Sequence, residues 1–74
     1  MTNKCLELDE TLDEESWNWL GDNHPKIAAS LEIAVQRGAT PTEIRGRVLE
    51  RVGPHRLEFA TRCESAARHL LAKQ

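Results

Sequence analysis

The residues of this chain best suited to chemistry are two cysteines, Cys5 and Cys63, and three histidines, His24, His55 and His69. The cysteines form no Cys-x-x-Cys pair, and the histidines lack the His-x-x-x-His spacing of a helical zinc site. Cys63 and His69 face different directions on one predicted helix, so they cannot act together as nucleophile and base. We therefore predict no catalytic residue, no metal site and no cofactor, and we interpret the chain as a non-enzyme.

The cysteines favour a reducing compartment. A secreted domain of this size usually contains several disulfides, whereas this one has only two cysteines. Cys63 lies on an apolar helical stripe, where a buried thiol is an inert packing residue. The sequence has neither an apolar run of about eighteen residues nor the apolar core of a signal peptide. We expect a cytoplasmic protein with no membrane association. The sequence does not decide whether Cys5 and Cys63 form a disulfide.

Charge is distributed unevenly along the chain. Residues 1–23 contain seven acids and one base, whereas residues 24–74 contain five acids and nine bases. Such asymmetry indicates either a partner surface or an acidic first segment that simply packs beside a basic body. The sequence leaves both interpretations open.

The last third of the chain organises the predicted fold. Its apolar residues recur at steps of four, three and four: Phe59, Cys63, Ala66 and Leu70. This is the period of an amphipathic helix with one buried face. Pro54 suits the first helical position, where its missing N–H is no loss. We predict a helix over about 54–72 whose apolar face the other helices need.

The N-terminal region is predicted to begin with an arm. Residues 1–10 are acidic and show no clear period, so we expect them to be weakly structured. Thr11 and Glu14 match a capping box, which predicts a helix over about 12–20 that Gly21 ends.

Two further helices have clear boundary residues. Pro25 opens a predicted helix over about 25–37, and Gly38 ends it. That helix is apolar on two sides, which favours a central position in the fold. The next helix, 41–52, has the strongest local signal, a capping box with proline at its first position: Thr40, Pro41 and Glu43.

These patterns predict an all-α fold, a single compact four-helix domain over residues 11–74 with short connections. The core is expected to contain one apolar residue or more from every helix: Trp17, Leu20, Ile27, Leu31, Val35, Ile44, Val48, Val52, Phe59, Cys63, Ala66 and Leu70.

Protein–protein interaction is the function class that remains. We predict a regulator, adaptor or inhibitor that docks onto another protein or onto itself as a homo-oligomer. Trp19 shares a short helix with a second tryptophan and is a candidate contact, because exposed tryptophans are enriched in interface hot spots. Ile33 offers a second apolar patch. The acids Asp13, Glu14 and Glu15 would steer a basic partner.

The alternative is a helix-turn-helix-like nucleic-acid-binding protein that uses helices 41–52 and 54–72. Its contacts would come from basic side chains on these helices: Arg45, Arg47, His55, Arg56 and Arg62. The charge balance disfavours it, because residues 41–74 contain seven bases and four acids, a weak footprint for a polyanion.

Overall fold

Four α-helices connected by short turns form the protein, as the sequence predicted. The computed structural model describes the backbone of residues 2–73 and the side chains of residues 12–73. The helices are α1 Thr2–Asn23, α2 Pro25–Gln36, α3 Pro41–Val52 and α4 Leu57–Lys73. A 3-10 turn, Pro54–Arg56, leads into α4. The radius of gyration is 12.0 Å, close to the roughly 11 Å typical of a compact domain of this length.

The first helix is longer at both ends than the sequence predicted. It begins at Thr2, before the predicted start near residue 12, so Thr11 does not start the helix. The prediction that residues 1–10 are a weakly structured arm stays a prediction. Residue 1 lies outside the described residues. The helix also continues past Gly21 to Asn23, because the His24 N–H donates to the Leu20 carbonyl at 2.7 Å and prolongs the helical pattern. No glycine or proline interrupts residues 2–20.

The boundaries of α2 and α3 follow the predicted signals. The Thr40 hydroxyl accepts a bond from the Glu43 N–H at 3.2 Å, and the Thr40 N–H donates to the Glu43 carboxylate at 3.3 Å. This reciprocal pair is the capping box that the sequence indicated. Gly38 has φ of +96°, a conformation that side chains with a Cβ rarely adopt, and it ends α2.

Helix α4, rather than α2, occupies the centre of the domain. It contacts α1, α2 and α3, whereas α2 and α3 have little direct contact with each other. Small residues on α4 let its neighbours approach closely, and they are completely buried: Ala60, Cys63, Ala66 and Ala67. The prediction that α2 is central was wrong because its second apolar side, around Ile33, faces solvent.

The predicted core divides into buried and half-buried residues. Its buried members are Leu20, Leu31, Val35, Ile44, Phe59, Cys63 and Ala66. The others pack against this centre but keep part of their surface exposed: Trp17, Ile27, Val48, Val52 and Leu70. Three of these half-buried residues, Ile27, Val48 and Val52, lie on the facing sides of α2 and α3. The gap between these two helices is therefore only partly closed.

Candidate functional site

An apolar groove runs between α2 and α3, with a volume of about 540 Å³. Its floor is formed by the buried residues Leu31, Ile44 and Phe59. Half-exposed apolar side chains form the walls: Ile27, Ala34, Val48 and Val52. Grooves of this kind between helices are common binding sites in helical domains.

The rim of the groove is basic. Arg47 and Arg51 line it and are exposed, together with the neutral Ser30. Arg47 lies 3.9 Å from Glu43, one turn earlier on α3, a weak exposed pair that leaves most of the arginine accessible. No acid is among the described residues that line the groove. The groove therefore presents an apolar floor with a cationic edge on the α3 side.

The groove exists because the side chains that should fill it are small. The chain contains only one phenylalanine, two tryptophans and no tyrosine, and both tryptophans belong to α1. Helix α4 contributes alanines and Cys63 to the centre of the domain. Among the described α4 residues, Phe59 alone lines the groove. The shortage of large side chains was visible in the composition, but its location depends on how the helices pack.

A second depression, which we call the basic pocket, lies where the end of α1 meets the start of α4. It is lined by aromatic rings and charged side chains: Trp19, His24, His55, Arg56, Glu58, Phe59 and Arg62. The rings of Trp19, His24 and Phe59 contact one another, with centroid separations of 5.1 to 6.3 Å. This packing leaves Trp19 half-buried as part of a satellite cluster above the α1–α2 turn.

The two arginines of the basic pocket each lie over an aromatic ring. The Arg62 guanidinium carbon lies 4.6 Å from the centre of a Trp19 ring, and that of Arg56 lies 5.4 Å from the Phe59 ring centre. These are cation–π distances, although Glu58 and Arg62 are also spaced for an i,i+4 ion pair on α4. His55 folds back over Gly53, whose φ of +96° and lack of a Cβ make that approach possible.

The structure separates the five residues predicted to contact a partner protein. Trp19 lies in the basic pocket and does not line the groove. Ile33 is 50% exposed and lines a depression that adjoins the groove and shares Arg47 with it. Glu14 and Glu15 are exposed on α1. The prediction that these residues act in binding stays a prediction.

Asp13 is engaged within the chain. Its carboxylate accepts a bond from the buried Ser65 hydroxyl and two from the Arg68 guanidinium, at 3.2 and 3.3 Å. Arg68 also lies 3.9 Å from Glu64, one turn earlier on α4. This cluster connects α1 to α4. Part of the charge complementarity between the acidic first segment and the basic body is therefore used inside the molecule.

The residues proposed for nucleic-acid contact also separate. His55, Arg56 and Arg62 come together in the basic pocket, and with them lies Trp19, which the sequence assigned to a different function. Arg47 lies on the rim of the apolar groove. Arg45 lies 3.9 Å from Glu64 and connects α3 to α4. The sequence missed His24 and Phe59 as members of the basic pocket because their contacts join helices far apart in the chain.

Cys63 is a free, buried cysteine on the packing face of α4. Burial raises the pKa of its thiol from the ordinary 9.0 to about 11, because the thiolate is poorly solvated there. The folded state therefore retains the thiol proton between these two pH values while the unfolded state loses it. The contribution of this residue to stability consequently falls as pH rises through that interval.

We expect Cys63 to be nearly unreactive in the folded protein. In a Cys5→Ser variant at about pH 8, an aromatic disulfide reagent should label Cys63 only as fast as the domain opens, because the thiolate is the reactive form. Addition of urea should bring labelling to completion within the time an unfolded thiol needs. Rapid labelling of the folded variant at the same pH would show that Cys63 is accessible.

The described residues define a small all-α domain that carries the apolar groove and the basic pocket on its surface. No protein-family model, curated protein or solved structure matches the chain. Within residues 2–73, no helix combines the length and apolar character that a membrane crossing requires. Over the same part of the chain, no three His, Cys, Asp or Glu side chains are grouped in a way that could hold a metal ion.

Proposed function

We propose that this protein is a non-enzymatic interaction module that binds an amphipathic, acidic helix of another protein. The supporting observation is the apolar groove between α2 and α3 with its two rim arginines. Helix-in-groove recognition needs an apolar channel that accepts side chains at helical spacing, and rim charges select the partner's polar face. We further propose a cytoplasmic location, in which a free Cys63 is stable.

The charge of the groove defines the chemistry of the partner. Arg47 and Arg51 lie one turn apart on α3, so the edge of a docked helix that runs along α3 would meet positive charge. Acidic residues beside the partner's apolar stripe would complement this charge and exclude basic competitors. Ile33 lies beside the groove and would extend the apolar contact at one end.

Fluorescence polarisation with two designed peptides tests this proposal. The peptides, each about 16 residues long so that they form helix on binding, share one leucine stripe and differ in having glutamate or lysine on the polar face. The acidic peptide should bind, and the basic peptide should bind at least about tenfold more weakly. Val48→Glu, which places a charge in the groove wall, should abolish binding while circular dichroism stays unchanged.

A charge reversal distinguishes the groove from general electrostatic attraction. The double variant Arg47→Glu/Arg51→Glu should reverse the preference so that the basic peptide binds better. The matched control, Lys26→Glu/Lys73→Glu, changes net charge equally but lies away from the groove lining, and it should retain the acidic preference. Equal effects of the two double variants would refute binding in the groove.

Sedimentation equilibrium without peptide tests whether a second copy of the chain occupies the groove. We expect the unmodified chain to be monomeric at the concentrations used for polarisation. A dimer that Val48→Glu dissociates would assign the groove to a second copy of the chain and overturn the proposal of a separate partner.

A further inference from the structure

The basic pocket has features that the proposed groove function does not use. Arg56 and Arg62 rest on aromatic rings, and neither has a carboxylate within ion-pair distance among the described side chains. His24 and His55 line the same depression, whose volume is about 410 Å³. Four side chains with N–H donors therefore converge on one open space at the surface.

These donors fit an oxyanion. A guanidinium presents several N–H donors in one plane, and a phosphate ester offers three terminal oxygens to receive them. A carboxylate offers only two oxygens, so it can accept fewer hydrogen bonds from the donors of the pocket. The pocket also lies at the start of the 17-residue helix α4, whose N-terminal end carries partial positive charge.

One acidic residue lowers the affinity of the pocket for anions. Glu58 lines it together with the two arginines, which leaves a formal charge of +1 when both histidines are neutral. A dianion gains more than a monoanion from the two arginines, whereas Glu58 disfavours all anions. Removal of the Glu58 charge should therefore increase anion affinity, an effect opposite to that of removing an arginine.

We propose that the basic pocket binds a phosphate monoester, with Arg56 and Arg62 as its principal ligands and the rings of Trp19 and Phe59 positioning them. The basic pocket shares only Phe59 with the apolar groove, and its arginines are not groove residues, so the inference does not rest on the proposed function. The phosphate group could belong to a small metabolite or to a phosphorylated side chain, since both present the same three oxygens.

Two-dimensional ¹H–¹⁵N NMR titration tests the proposal. The probes are inorganic phosphate, adenosine 5′-monophosphate and a short phosphoserine peptide, at about pH 8, which is about two units above the second pKa of a phosphate monoester, so that the probes are mostly dianions. We expect saturable shifts of the Trp19 indole N–H and of the His55 and Arg56 amides, with a dissociation constant on the order of millimolar for inorganic phosphate. Tighter binding of the nucleotide or of the peptide identifies the source of the phosphate group.

Variants of four residues separate specific binding from surface attraction. Arg56→Gln and Arg62→Gln should each weaken binding about tenfold, since each removes a charged hydrogen-bond donor. Arg37→Gln removes the same charge from an exposed position at the end of α2, outside both the groove and the basic pocket, and should change affinity less than twofold. Glu58→Gln should tighten binding, an outcome that a merely misfolded variant cannot produce.

The proposal is overturned by any of three results. These are shifts that do not saturate, an equal response to acetate at matched ionic strength, or an equal loss of affinity in Arg37→Gln. The last two results would show that the pocket attracts anions without recognising phosphate.

Discussion

Replacing Leu20 by Ala is expected to lower the free energy of unfolding by roughly 3 kcal/mol, the largest effect we predict on stability. Leu20 is completely buried, with 0% of its surface exposed, and it belongs to the cluster that joins the helices. Truncation removes its transfer free energy and leaves a cavity that the surrounding helices fill only in part. A domain of this size has a total stability of about 4–11 kcal/mol, so the loss is a large fraction of it.

Urea unfolding followed by far-ultraviolet circular dichroism measures this effect. Leu71→Ala is the matched control, because the same atoms are removed from a side chain that is 40% exposed. The control should cost less than about 1 kcal/mol, since little burial is lost and little cavity is created. Similar costs for the two variants would mean that Leu20 does not hold the central place in the core that the structure shows.

The second large effect is expected from Asp13→Ala, which should lower the free energy of unfolding by about 2 kcal/mol. The side chain of Asp13 is 15% exposed, and its carboxylate receives bonds from Ser65 and Arg68. The Ser65 hydroxyl is buried and would lose its acceptor, at a cost of about 1–3 kcal/mol for an unsatisfied buried group. The bidentate pair with Arg68 would be lost as well, although Arg68 is half exposed and contributes less.

Two further variants identify the origin of that loss. Glu14→Ala removes the same charge from the exposed neighbouring position and should change stability by less than about 0.5 kcal/mol. A double-mutant cycle of Asp13→Ala with Ser65→Ala should show coupling of at least about 0.5 kcal/mol, because the two residues share one hydrogen bond. Additive effects would indicate that Asp13 acts only through the net charge of α1.

The Asp13 cluster shows why charge patterns in a sequence do not reveal a partner. The excess of acids in residues 1–23 was compatible with a docking surface or with internal packing. In the folded chain Asp13 faces α4, whereas Glu14 and Glu15 face solvent. Three consecutive acids on one helix thus have different environments, and only the position of α4 distinguishes them.

In the groove and the basic pocket, the environments of apolar and aromatic residues likewise depend on contacts between helices. Ile27, Val48 and Val52 lie on helix faces that were correctly predicted to point inward, but α2 and α3 diverge and leave them half exposed. Arg62 could be paired with Glu58 by helical spacing, yet it rests on Trp19 from another helix. Both outcomes depend on distances between helices, which periodicity within one helix does not contain.

The sequence by itself determined the fold class, the boundaries of α2 and α3, and most of the buried face of α4. These features depend on interactions within about four residues, such as the Thr40–Glu43 capping box, and on the helical period. It misplaced the start of α1, because Thr11 has the residue type of a cap but no helix break precedes it. Only the tertiary structure decided which apolar faces close, which acids pair internally and which side chains surround the groove and the basic pocket. Those outcomes follow from the relative placement of four helices, which the small volume of the α4 side chains and contacts between distant residues set.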